Sequence, residues 1–258
     1  AGRVMLNVNN IFCFSKSQFG TSLTNVTFDL RQGKILGIGG VAGNGQDELF
    51  AVLSGEQFSQ HGSISLNGIN ITKFNPNQRR KIGLLSAPEE RLGHAAAPNM
   101  SLIENTLITA ENSQNLVSRG FIDWKKSKAF AEKVIKKFDV RTPGSQNTAG
   151  SLSGGNLQKF VIGREILQNP SVFIVNQPTW GVDAAAASSI RQALLTLSEN
   201  GAAILVISQD LDELLEISDQ FAALNGGTLS KIEKTADLSM EQIGLMMGGA
   251  KDLEVRNV

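Results

Sequence analysis

Residues 39–50, GGVAGNGQDELF, constrain the fold more than any other stretch of the chain. From Gly40 they follow the phosphate-loop frame G-x-x-x-x-G-K-[ST] as far as Gly45 and then leave it, with Gln46 at the lysine and Asp47 at the hydroxyl. In that frame the glycines let backbone N–H groups curl round phosphate oxygens, the lysine neutralises phosphate charge, and the hydroxyl ligates magnesium. The setting fits: KILGIGG (34–40) is an apolar run that ends in the loop, and QDELFAVL has helical spacing after it. Gly40, Gly43, Asn44, Gly45, Gln46 and Asp47 are therefore the candidate nucleotide seat, one that lacks its cation. Taken alone, the same stretch is also a glycine-rich turn with no ligand.

Composition narrows the partners. A chain of 258 residues with 41% hydrophobic content can bury a full core. Lys+Arg and Asp+Glu both number 24, so there is no basic excess to drive nucleic-acid binding. Cys13 is the only cysteine and His61 and His94 the only histidines, which rules out an internal disulfide and a thiolate cluster and argues against any metal site built from these side chains. No apolar run reaches the roughly 18 to 20 residues of a membrane span, and AGRVMLN lacks a signal-peptide pattern, so the chain is expected in or facing the cytoplasm. It does not begin with Met, so its opening residues are expected to come from a longer polypeptide or an expression remnant.

Around the loop, the first 75 residues alternate apolar and polar positions, as at Val26, Phe28 and Leu30, and Asn67-Gly68 signals a hairpin. These features predict an antiparallel sheet. SVFIVN (171–176) and AAILVIS (202–208) each precede polar loops and helical patterns, which predicts parallel strands with crossover helices. Residues 100–168 read as a helical insert, in which Asp123 caps a helix carrying Phe130, Ala131, Val134, Ile135 and Phe138 on one face. In the tail, Ser239 and Gln242 make a capping box before Ile243, Met246 and Met247. The fold class is α/β: a phosphate-loop domain with an antiparallel β subdomain and a helical subdomain.

A second glycine motif, SLSGGNLQK (151–159), places Ser153 as the cap of a helix whose first turn holds Gly154 and Gly155. A helix start without side chains there lets an anion approach the backbone closely. In order along the chain come the glycine loop, PEER (88–91), the insert, LSGGN, VFIVNQPTWGVD and VISQD. With this order the chain resembles the ATP-binding subunits of ABC transporters over nearly its whole length. GNGQ, PEER, LSGGN and QPTxGxD together are similar to the second half of twin-domain ATPases that power simple-sugar and nucleoside importers. The resemblance implies a single nucleotide-binding domain: β subdomain and loop core at about 1–88, helical subdomain at about 89–168, and the remaining core and tail at about 169–258.

The resemblance also implies roles. Ser153, Gly154, Gly155 and Asn156 fall on the signature motif, which acts in trans on ATP held by a companion nucleotide-binding domain. Glu89 stands at the Q-loop glutamine, Asn176 at the Walker B aspartate, Gln177 at the catalytic glutamate, Asp183 in the D-loop and Gln209 at the switch histidine. An aromatic upstream of the loop, Phe14 or Phe19, is a candidate to stack on adenine or to pack in the core. Partners implied are the companion domain, membrane permease subunits gripped by roughly 86–120, and a solute-binding protein indirectly. The chain would lie peripherally on the cytoplasmic side of the inner membrane. Phosphoryl transfer depends on positioning, magnesium and positive charge, and Gln46, Asp47, Asn176, Gln177 and Gln209 alter each of these. The expectation is ATP with Mg2+ bound weakly or not at all here, and no catalytic residue in cis. A competent ATPase with unusual residues and a nucleotide-free interaction module are the rival readings.

Overall fold

The computed structural model describes residues 2–249, so residues 250–258 of the last segment, and Ala1, on which the reading of the chain start rests, lie outside the described residues. In chain order the strands are β1 (Val4–Cys13), β2 (Leu23–Arg31), β3 (Ile35–Gly39), β4 (His61–Leu66), β5 (Ile69–Asn70), β6 (Leu84–Ala87), β7 (Val117–Ser118), β8 (Phe121–Ile122), β9 (Val172–Asn176), β10 (Ala203–Ser208), β11 (Gln220–Asn225), β12 (Thr228–Leu229) and β13 (Glu233–Lys234). The helices are α1 (Gln46–Ser54), α2 (Pro76–Lys81), α3 (Leu102–Ala110), α4 (Trp124–Lys137), α5 (Gly154–Ile166), α6 (Ala184–Glu199), α7 (Leu211–Ile217) and α8 (Met240–Met247).

A central sheet runs β12-β11-β3-β10-β9-β6, with β13 beside β11, and β11, β3, β10, β9 and β6 are mutually parallel. Its inner strands are buried on both faces, which is why they read as unbroken apolar runs. The period of 2 divides them between two cores. Ile204 and Val206 pack with the α5 and α6 side and with the helical insert. Ala203, Leu205 and Ile207 pack with α1 and with the second sheet, ordered β2-β1-β4-β5 and antiparallel. That sheet buries Leu6 and Val8 of β1 against Val26, Phe28 and Leu30 of β2, as the alternation predicts. The Asn67-Gly68 turn forms as expected, with both residues at positive φ, 49° and 82°.

Three local features agree with the sequence reading and two do not. Asp123 accepts from the Lys126 N–H at 3.0 Å to cap α4, the Ser239–Gln242 capping box opens α8, and Ile243 and Met246 are core. The insert is not wholly helical: β7 and β8 form a small hairpin inside it. Two strands of two residues each are too short to show alternation, so only the turn, Arg119 and Gly120 at positive φ, marks them. Ser153 precedes α5 but does not cap it with its side chain. Its Oγ accepts from Asn156 Nδ2 at 2.9 Å, and Asn156 Oδ1 accepts from the Arg141 N–H at 2.8 Å.

Candidate functional site

The glycine loop leaves β3 and enters α1 through Gly45 at φ 107°, a left-handed conformation that a side chain would strain. Gln46 opens the helix but does not reach outward: it is only 6% exposed. Its Oε1 accepts from the Asn44 N–H at 2.9 Å, and its Nε2 donates to the Val41 carbonyl at 2.8 Å. A Cβ on Gly40 would stand 2.6 Å from the Leu224 carbonyl oxygen and 2.7 Å from that Nε2, so the glycine makes room for a backbone approach as well as for the folded-back side chain. Asn44 Nδ2 donates to the same Val41 carbonyl at 2.8 Å, and Asn44 Oδ1 accepts from the Gly226 N–H at 2.8 Å. Thr21 Oγ1 donates to the Gly43 carbonyl at 2.6 Å. The loop is held from both sides by the protein's own groups.

Beyond the loop, Asp47 Oδ1 accepts from Asn176 Nδ2 at 3.3 Å, which links the start of α1 to the end of β9. The other end of that carboxamide, Asn176 Oδ1, is buried without a hydrogen-bond partner. Glu89 faces the same region; burial, and then the charge of Asp47, push its carboxyl pKa above the ordinary value, with Arg91 opposing. Asp47, Glu89, Arg91, Asn176, Gly154 and Trp180 all line one cavity of about 750 Å³. His94, for which the sequence suggested no role, is also in its wall, with Nε2 3.0 Å from both Glu56 carboxylate oxygens, and this bond raises its pKa.

Gln177 and Gln209 meet one another at the ends of β9 and β10. Gln177, at φ 52°, accepts from the Gln209 N–H through Oε1 at 3.2 Å. Behind them, Ser208 Oγ donates to Glu213 Oε2 at 2.8 Å. Glu213 is buried, which pushes its pKa up, and no motif pointed to it.

At the second glycine motif, Ser153 and Gly154 lie exposed at the start of α5. Arg91 of PEER turns inward to them: Nε donates to Gln158 Oε1 at 3.0 Å and Nη2 donates to the Trp180 carbonyl. Gln158 Nε2 in turn donates to the Pro178 carbonyl at 2.8 Å. A Cβ on Gly154 would come 3.0 Å from Arg91 Nη1, and one on Gly155 would come 3.3 Å from Asp183 Oδ2. Asp183 caps α6 by accepting from the Ala186 N–H at 2.9 Å, and this bond lowers its pKa. Phe14 and Phe19 are 71% and 90% exposed, so core packing is excluded for both.

The glycine loop at a strand-to-helix turn and the SGG helix start thus sit on a single α/β body, and the sequence model of the ABC transporter family matches residues 23–180. The chain belongs to the ABC transporter family. Its fold is that of the ABC ATP-binding cassette. A nucleotide-free ATP-binding cassette superposes with a TM-score of 0.74 at 22% identity, over 98% of both chains. A dimeric cassette in a post-hydrolysis state, bound to ADP and Pi, gives 0.75 at 20% identity over 90% of this chain and 99% of that one. Among curated relatives, a glucose import ATP-binding protein of Haloferax volcanii is 35% identical over 90% of this chain and 42% of its own length. A nucleoside import ATP-binding protein of Lactococcus lactis is 34% identical over 91% of this chain and 46% of its own. A galactose/methyl galactoside import ATP-binding protein of Escherichia coli is 33% identical over 94% and 47%. This ABC chain spans less than half the length of these relatives. Among its described residues no helix is long and apolar enough to cross a membrane.

Proposed function

We propose that this chain is one nucleotide-binding domain, the second, of a twin-domain importer ATPase for a simple sugar or nucleoside. On this reading its signature residues Ser153, Gly154 and Gly155 act on ATP held by a companion domain, and its own site does not turn over. It would work on the cytoplasmic face of the membrane against permease subunits, with Glu90 and the insert outermost. Arg91 is engaged with α5, so it would link that surface to the signature helix and not merely decorate it.

The observation that carries this reading is a contrast within one chain. The start of α5 is exposed and its glycines are intact, while Gln46 and Asn176 are bonded to protein neighbours and, like Gln177 and Gln209, carry no charge. The residues present do not fit that ligand. Gln46 spends its carboxamide on the loop, Asp47 adds a carboxylate where phosphate would lie, and Asn176 offers the metal no charge. Gln177 cannot take a proton. The isolated chain is therefore expected to hydrolyse ATP no faster than background, and a magnesium-dependent rate of about 1 s⁻¹ or more would overturn the reading.

Asp47 supplies a second test. Two unit charges about 4 Å apart repel by roughly 4 kcal/mol at an effective dielectric of about 20 and by about 1 kcal/mol in water. Asp47 is exposed, so the lower value governs. Asp47→Ser is expected to tighten nucleotide binding several-fold in calorimetry. Unchanged or weaker binding would remove the electrostatic argument.

A further inference from the structure

We propose that Gln46 is the ligand of its own phosphate loop: its carboxamide occupies the cradle and competes with the phosphate chain of any nucleotide or inorganic diphosphate. The inference rests on the proposed reading of this site as one that does not turn over, and it identifies the group that closes it.

A phosphate loop binds because several N–H groups converge on an anion's oxygens. Here one of them, Asn44 N–H, already meets an oxygen at 2.9 Å, that of the Gln46 carboxamide. An amide oxygen carries partial negative charge and two lone pairs, so it satisfies the donor as a phosphate oxygen would. The other end of the same group donates to the Val41 carbonyl at 2.8 Å, so the carboxamide spans the loop. Lysine could not do this. Its ammonium has donors only, and it would hold a carbonyl while leaving the Asn44 N–H free for an anion. Glutamine carries both polarities and closes the ring. Three further features preserve the closed state without a ligand. Gly40 admits both the Leu224 carbonyl and the folded-back side chain, since a Cβ there would lie 2.6 Å from the Leu224 oxygen and 2.7 Å from Nε2. Gln46 is only 6% exposed, so water competes poorly for its bonds. Asn44 braces the loop through Val41 and Gly226. A diphosphate must displace the carboxamide from two part-buried hydrogen bonds before it gains the Asn44 N–H.

The sign of one substitution tests this. If Gln46 were a phosphate ligand or a mere structural brace, Gln46→Ala would bind inorganic pyrophosphate less well than the parent chain, or equally. If it is the competitor, Gln46→Ala binds pyrophosphate and ATP tighter, by about 5- to 10-fold for two released hydrogen bonds of modest net worth. Calorimetric titration of both chains with pyrophosphate, with and without magnesium, reads the difference. Equal affinities, including no measurable binding by either, or weaker binding by the variant overturn the proposal. Hydrogen exchange of the ligand-free parent is independent of whether the variant folds. The Asn44 amide is expected to exchange slowly without any phosphate, and fast exchange overturns the proposal. Turnover by the parent chain would defeat the reading of an inactive site, but the sign of the Gln46→Ala effect would still be decided by pyrophosphate.

Discussion

If the chain is one half of a twin-domain ATPase, as proposed, replacing Gly155 by Asp in the assembled protein is expected to abolish ATP hydrolysis at the companion's phosphate loop, whereas Gln46→Ala leaves that hydrolysis nearly unchanged. On that reading the glycines at the start of α5 would give a terminal phosphate access to backbone donors, and a side chain there would hold the phosphate away. Loss of one donor to charge that develops in a transition state costs other enzymes on the order of 100- to 1000-fold in rate. A carboxylate adds repulsion to obstruction. The cost has a second source within the same chain: a Cβ at Gly155 would lie 3.3 Å from Asp183 Oδ2 and 3.6 Å from Ala186 Cβ. A carboxylate at 155 would therefore also press on the residue that caps α6. Gly155→Ala separates the two effects, because it carries the steric part without a second negative charge and should still slow hydrolysis markedly. One steady-state ATPase assay compares the variants. Equal damage from Gly155→Asp and Gln46→Ala, or damage from Gln46→Ala alone, would mean that hydrolysis runs through this chain's own loop.

The elements that carry this argument were legible because their signals are local. A glycine frame after an apolar run fixes strand, loop and helix within about fifteen residues. Alternation in β1 and β2, the Asn67-Gly68 turn and the capping residues Asp123 and Ser239 likewise need no distant partner. What the sequence could not reveal is where a polar side chain turns. Gln46 reads as a lost lysine, but only the loop's three-dimensional path lets both ends of its carboxamide find backbone. Arg91 reads as part of a charged turn, yet it bonds Gln158, 67 residues away. Arg79 is 1% exposed and donates to the carbonyls of Val52, Leu53, Ile71 and Phe74, with its pKa lowered by burial to about 10. In sequence it is one of two adjacent arginines on a short helix, and nothing separates the buried one from its neighbour. The hairpin β7–β8 was missed for a different reason, since two-residue strands carry no periodicity at all.

The second large effect is expected in stability, at a charged cluster that joins the insert to the core. Glu165 on α5 is fully buried and accepts from Arg80 Nη1 at 2.7 Å and from Arg164 Nε at 2.9 Å. Arg164, 1% exposed, donates through Nη1 to the Asn105 carbonyl at 3.0 Å and through Nη2 to the Ala95 carbonyl at 2.7 Å. One carboxylate thus balances two guanidiniums, one on α2 and one beneath α3. Glu165→Gln keeps the shape and removes the charge, which leaves a buried cation uncompensated; breaking buried pairs in this way costs about 3–5 kcal/mol. At about 2–4 °C per kcal/mol for a chain of this size, the melting temperature should fall by roughly 10 °C. The pH dependence follows from the same charges. Burial alone would raise the Glu165 pKa, but Arg80 and Arg164 outweigh it and hold the pKa below the ordinary 4.5. A depressed folded pKa means that the ion pair's contribution is fully present above about 4.5 and is lost as the pH falls through the lower folded value. The gap between parent and Glu165→Gln should therefore be widest near neutrality and narrow in acid. Thermal melts of both chains at pH 7 and again below pH 4 measure it. A gap of under about 1 kcal/mol at pH 7, or one that widens in acid, would mean that the cluster is held by packing and that its charges contribute little.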